Sequence, residues 1–225
     1  MTATAAPRRE LRTRQARWAG ALARWLGARR VRPNAISVMS VVFALVAGVA
    51  LWMAGSGEWL GAGPAILFVI AALGIQLRLL CNMLDGMLAV EGGMKSVLGD
   101  IYNDFPDRIA DAVILIGAGY AVGRLDGGVV LGWTAALLAV MTAYVRVLGG
   151  SLGATQRFLG PMAKQHRMFV LTVACLFAAV EHAAGWRPRA IWAALLIIVL
   201  GSAVTTVRRL TQIARELQEK GVRRE

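Results

Sequence analysis

Apolar residues fall in long uninterrupted runs separated by short polar stretches, not in narrow amphipathic stripes. Runs of about 20 apolar residues are the length that crosses a hydrocarbon core of roughly 30 Å as a helix. The pattern predicts spans over 35–54, 64–89, 97–122, 128–149, 168–184 and 189–208. Ahead of them, residues 7–31 are rich in Arg and place Trp18, Leu22, Trp25 and Leu26 at helical spacing. That suits an amphipathic helix lying in the membrane interface, with a plain solvated tail as the alternative. Arg32-Pro33-Asn34 breaks this helix and starts the next. The expectation is an all-α, polytopic membrane protein with six transmembrane helices plus an N-terminal interfacial helix. Its parts are a basic interfacial segment (1–31), a six-helix membrane domain (32–209) and a tail (210–225) that extends the last helix into water. The Arg-rich start lacks the continuous apolar stretch of a cleavable signal peptide.

Composition agrees with this reading. The chain is 57% apolar over 225 residues, with a mean hydropathy of +0.59. Its formal net charge is +12, from 25 Lys and Arg against 13 Asp and Glu. In a soluble protein such a balance points to nucleic acid. Here the basic residues flank apolar spans, which fits anionic headgroups of membrane lipids and no nucleic acid. The N-terminal segment, Lys95, the stretch from Arg157 to Arg167, and the tail from Arg208 onward fall on one side of the membrane. The opposing loops carry few cations, Arg187 and Arg189 excepted. Both termini are thus expected in the cytoplasm of a bacterial-type inner membrane. Cys81 and Cys175 lie within spans and read as small buried side chains. His166 and His182 have no ligand-type partner at suitable spacing.

Two spans carry charge where lipid should be. Arg78, Asn82, Asp85 and Ala89 project within a narrow arc of the second. Asp100, Asn103, Asp104, Asp107 and Asp111 share an arc of about 100° on the third. Ionisable groups inside spans are costly and face the protein interior or a water-filled site. The second helix runs toward the cytoplasm and the third away from it, so both polar faces fall in the cytoplasmic half. Converging carboxylates and carboxamides suit Mg²⁺ or Mn²⁺, both hard cations. Ion pairs such as Arg78–Asp85 or Asp104–Arg108, stapling helices together, are the alternative, although the acidic groups are expected to outnumber nearby cations. Gly86 and Ala89 either let two helices approach or leave room for a base or phosphate. Arg146, Arg157, Lys164 and Arg167 gather at the cytoplasmic ends of the fourth and fifth spans. They read either as phosphate-binding groups in a compact loop (160–167) or as anchors snorkelling to headgroups.

The stretch Asn82-Met-Leu-Asp85-Gly86-Met-Leu-Ala89-Val90, eight residues, then Gly99-Asp-Ile-Tyr-Asn103-Asp-Phe-Pro-Asp107 resembles the signature of the CDP-alcohol phosphatidyltransferases, D-x2-D-G-x2-A-R-x8-G-x3-D-x3-D. Spacing matches throughout, and Asp85, Gly86, Ala89, Gly99 and Asp107 match by identity. Asn82 and Asn103 stand at the first and third aspartates, and Val90 at the arginine. Arg32-Pro33-Asn34-Ala-Ile-Ser also resembles the family's opening to its first span. The resemblance implies transfer of a phosphatidyl-type phosphoryl group from a CDP-lipid donor to a small alcohol or sugar-phosphate acceptor, with release of CMP. It also implies a cytoplasm-facing site and a homodimer. Asp85 would be a metal ligand and Asp107 the general base on the acceptor hydroxyl, with Gly86 and Ala89 lining the cytidine pocket. The basic residues of the 160–167 loop would meet an acceptor phosphate. With two aspartates replaced, three outcomes stay open. These are a weaker or single-metal site, recruitment of Asp100 or Asp104, or loss of catalysis in a protein that only binds CDP-lipid or a partner. Activity is the expectation, because Asp85, Asp107 and the small residues are kept together. A transporter is disfavoured, because the polar groups sit toward one leaflet and no paired halves appear.

Overall fold

The structure, a computed structural model, describes residues 17–57, 63–90, 98–123, 125, 127–155 and 160–222. Arg157, Lys95 and residues 1–16 lie outside them, as do the side chains of Asp100 and Asn103. Seven helices make up the described chain, with no strand among the described residues: α1 (Arg17–Ala28), α2 (Pro33–Ser56), α3 (Gly63–Val90), α4 (Gly99–Ala121), α5 (Gly128–Ser151), α6 (Lys164–Ala183) and α7 (Ala190–Val222). Five of them, α2, α3, α5, α6 and α7, are long and apolar enough to cross a membrane. The 23-residue α4 carries Asp104, Asp107, Arg108 and Asp111, so its charge rather than its length sets it apart.

Local chemistry explains the boundaries. Arg32 is extended (φ −75°, ψ 136°) and Pro33 opens α2, where its missing N–H costs no helical bond. Gly57 closes α2 in the left-handed region (φ 78°). The largest departure from expectation is at α6, which starts at Lys164 rather than 168. Lys164 to Arg167 therefore form its first turn, and the predicted loop ends at Ala163. The basic residues mask the helix in a hydropathy profile, but extended Ala163 (φ −76°, ψ 163°) launches it. At the other extreme α7 runs on past 208 to Val222.

The helices form a closed ring in the order α2, α3, α6, α7, α5, α4, with α1 laid against α3. Adjacent in sequence, α3 and α4 nevertheless touch only lightly; α2 packs between them along most of its length. Their polar faces meet across the interior rather than along a shared seam. Leu51, Phe68, Ile75, Ile114, Leu115, Met168, Leu171, Ile191, Leu195 and Ile198 fill the centre. Val42, Val49, Trp52, Leu73, Phe169, Phe177 and Leu200 face outward, as a bundle in lipid requires. Cys81 and Cys175 are free and buried. On α1, Ala19 and Ala23 are buried, Leu22 and Leu26 pack beside them, and Trp18 and Trp25 stay exposed.

In lipid, helices associate through close packing rather than hydrophobic expulsion, which favours small residues at crossings. The α4–α5 crossing is set by Gly119 and Gly132: a Cβ on Gly132 would lie 2.6 Å from Gly119 Cα and 2.9 Å from Leu115 O. Both obstacles are backbone. Gly132→Ala therefore pushes two helices apart, at a cost of about 1–3 kcal/mol for overpacking, against a helix-propensity gain of at most about 1 kcal/mol. The expected result is a lower unfolding midpoint in detergent. Gly20→Ala, whose Cβ would meet only the end of the Arg24 side chain at 3.3 Å, does not lower the midpoint.

Candidate active site

The polar faces converge at the end of the bundle where α3 stops and α4 starts. The arrangement has a deep tier and an outer tier. In the deep tier Arg78 of α3 sends Nη2 to Asp111 Oδ1 (2.6 Å), Asp107 Oδ1 (3.2 Å) and Asp107 O (3.3 Å). Arg167 of α6 donates to the other oxygen of Asp111 (2.9 Å), to Met162 O (3.1 Å) and to Thr142 Oγ1 (3.3 Å). Arg78 and Arg167 are 0% and 2% exposed, and Asp111 1%, so Asp111 is the shared counter-charge of two buried guanidiniums.

Asp107 joins the tiers. Its Oδ1 accepts from Arg78 and from Asn82 Nδ2 (2.6 Å), and its Oδ2 pairs with the Lys164 ammonium. Asp85, 3% exposed, accepts from Ser37 Oγ of α2 through Oδ2 (2.7 Å). Its Oδ1 is buried without a hydrogen-bond partner. Asp85 lies within electrostatic reach of both Asp107 and Lys164. Gly86 and Ala89 are half-buried in the last turns of α3.

Farther out, Asp104 accepts from Arg108 of its own helix (2.7 Å) and from Arg146 of α5 (2.8 Å). Arg209 of α7 donates to Thr142 O (2.6 Å) and stands within reach of the charges on Arg108, Arg146 and Arg167. The backbone before α6 is clamped to α7. Met162 N donates to Thr205 Oγ1 (3.0 Å), and Gly160, at φ 113°, sits so close to Thr205 that any Cβ would collide with it. This clamp fixes where Lys164 enters the site.

Four helices thus bring Asn82, Asp85, Asp104, Asp107, Arg146, Lys164 and Arg167 to one end, while Arg157 and the Asn103 side chain lie outside the described residues. One ion pair of the alternative reading and one expectation differ from what the described residues show. Arg78 pairs across the interior with α4, not with Asp85 on its own helix; the Asp104–Arg108 pair does form. Among the described residues the carboxylates are outnumbered: Asp85, Asp104, Asp107 and Asp111 face Arg78, Arg108, Arg146, Lys164, Arg167 and Arg209. Arg78 and Arg108 belong to α3 and α4 themselves; the other four cations come from α5, α6 and α7, far away in sequence. Sequence reasoning gave no role to Ser37, Asp111 or Arg209. Arg209 ends the last apolar run and passes for a headgroup anchor; Ser37 carries no signal beyond its place after Arg32-Pro33-Asn34.

No family model matches the chain. Inner membrane protein YnbA of Escherichia coli is 23% identical over 193 residues, covering 86% of this chain and 90% of that protein. Phosphatidylinositol phosphate synthase of Streptomyces avermitilis is 26% identical over 200 residues, covering 85% of this chain and 75% of that one. Among solved structures, phosphatidylinositol phosphate synthase of Mycobacterium tuberculosis with CDP-DAG bound superposes with a TM-score of 0.73 at 18% identity, over 88% of this chain and 94% of that one. The same synthase in complex with manganese and citrate gives a TM-score of 0.72 at 17% identity, over 87% and 88%. Across nearly its whole length, this chain has the fold of those phosphatidylinositol phosphate synthase structures.

Proposed function

We propose that this protein transfers a phosphatidyl-type phosphoryl group from a CDP-activated lipid, such as CDP-diacylglycerol, to an alcohol acceptor and releases CMP. The observation that carries the reading is the Asp85–Asp107 pair at the α3–α4 end, under a cationic rim of Arg108, Arg146 and Arg209. The likeness to a synthase solved with CDP-DAG and the spacing of the Asn82–Asp107 motif support it. In this reading α4 is the sixth span, its charges turned inward, and α1 lies in the interface. Both termini and the site face the cytoplasm of a bacterial inner membrane, and the protein works as a homodimer.

The chemistry needs a proton acceptor, charge compensation and alignment. Asp107 takes the proton of the acceptor hydroxyl, whose oxygen attacks the lipid-side phosphorus; the bond to CMP breaks and CMP leaves with its electron pair. Arg78 and Asn82 hold the Asp107 carboxylate in place. Arg146 and Lys164, both part-exposed, meet phosphate oxygens. Arg167 is buried and acts by holding Asp111. Gly86 and Ala89 give the cytidine room to approach α3.

Among the described residues no three His, Cys, Asp or Glu side chains are gathered to hold a metal. The unpartnered Asp85 Oδ1 is nevertheless a ready ligand position. A divalent ion, Mg²⁺ or Mn²⁺, would be held there by Asp85 with carboxamide oxygen from Asn82, and Asp104 would stand in reserve on α4; the motif position Asn103 lies outside the described side chains. When bound, such an ion offsets negative charge on the diphosphate.

Incubating the purified protein in detergent with radiolabelled CDP-diacylglycerol and a panel of acceptors, with and without Mg²⁺, tests the reading. CMP release that depends on acceptor and Mg²⁺ is expected. One observation favours a second reading, a CDP-lipid-binding protein without turnover: Asn82 donates to Asp107, where the motif has an aspartate. Binding without CMP release, converted to release by Asn82→Asp with Asn103→Asp, would establish that reading instead.

A further inference from the structure

We propose that Lys164 is a tethered cation that competes with a divalent ion for Asp107, so that metal enters this site by displacing the ammonium. The inference deepens the reading above and rests on its ion-binding part. Both carboxylate oxygens of Asp107 are engaged by the protein: Arg78 and Asn82 on Oδ1, Lys164 on Oδ2. Only the Lys164 contact is movable. Arg78 is fully buried and also tied to Asp111, and Asn82 is a short side chain inside α3. Lys164 instead is 24% exposed at the first position of α6, on a flexible four-carbon stem.

Its backbone cannot follow the side chain, because Met162 is held by Thr205 and by Arg167 on either side. Any exchange is therefore a rotation of one side chain. The second feature is the buried, unpartnered Asp85 Oδ1 within electrostatic reach of Lys164 and Asp107. An unsatisfied buried carboxylate oxygen is costly, and a cation between the two carboxylates satisfies it. With Asn at positions 82 and 103, the site has two fewer negative charges with which to hold a dication. Arg78, which is shared with Asp111, and a single ammonium then balance Asp107 in the resting protein.

Competition of this kind has direct readouts that need no CDP-lipid. Titrating Mn²⁺ into the full-length protein in nanodiscs, followed by electron paramagnetic resonance, is expected to show weak binding. Lys164→Met tightens it at least ten-fold, Lys164→Arg does not, and Asp85→Asn abolishes it in every background. In the unsubstituted protein, Mg²⁺ raises the rate at which an amine-reactive reagent modifies Lys164 at least three-fold, read by mass spectrometry. Unchanged or weaker Mn²⁺ binding in Lys164→Met overturns the proposal. So does a labelling rate that Mg²⁺ leaves unchanged, a result that does not depend on any variant folding. If Lys164→Met gains affinity and no form releases CMP, the competition stands and the transferase reading fails; transfer without competition is the reverse result.

Discussion

Replacing Asp107 with Asn lowers CMP release by about 10²–10⁴-fold, the range expected when a general base is lost, while the protein stays folded. The carboxamide keeps the volume and can still accept from Arg78, and Arg78 retains Asp111 as its charge partner. An amide cannot take the acceptor proton, so chemistry suffers more than binding. The part-exposed Lys164 loses its partner without being stranded in the interior. The check is to measure turnover and the thermal unfolding midpoint together. A parallel fall in both would assign Asp107 a structural role only.

The largest effect on stability is expected one turn deeper. Asp111→Ala leaves Arg78 and Arg167, both essentially inaccessible, without the carboxylate they share. Breaking a buried pair by removing one partner costs about 3–5 kcal/mol, because the remaining charge is uncompensated. Here two guanidiniums are affected, although Arg78 keeps a longer contact to Asp107. By contrast Asp104→Ala, two turns away on the same helix with a 42% exposed side chain, costs only about 0–1 kcal/mol. Equilibrium unfolding in mixed micelles should therefore shift strongly for the first and barely for the second. Equal shifts would mean that the deep tier is hydrated and carries no special weight.

What the sequence made legible follows from range. Helix α2 is a charge-free run whose length alone marks it, and α5 is one up to Arg146 in its last turns. The polar faces of α3 and α4 follow from helical periodicity, a relation between residues a few positions apart. Their partners do not. Arg78 meets Asp111 and Arg167 reaches the same carboxylate from a third helix, contacts set by the order of helices around the ring. Nothing local announces that α6 lies beside α3 and that α7 and α5 close the ring toward α4, so the local balance of charge suggested excess acid where, among the described residues, the assembled site has excess base. The start of α6 was hidden for a related reason: Lys164 and Arg167 point into a polar interior, but hydropathy counts them as loop. Ser37 shows the same limit, since its bond to Asp85 joins residues 48 positions apart.

The central claim is that Asp107 and its neighbours move a phosphatidyl group, and following the phosphorus tests it most directly. CDP-diacylglycerol labelled at the lipid-side phosphate is given to the reconstituted protein with a panel of glycerol phosphate, inositol phosphate, serine and lipid alcohols. The account predicts that the label appears in a new phospholipid and unlabelled CMP accumulates, both depending on Asp107. Label that stays in CDP-diacylglycerol with every acceptor, for the natural chain and for the Asn82→Asp, Asn103→Asp form alike, would contradict it.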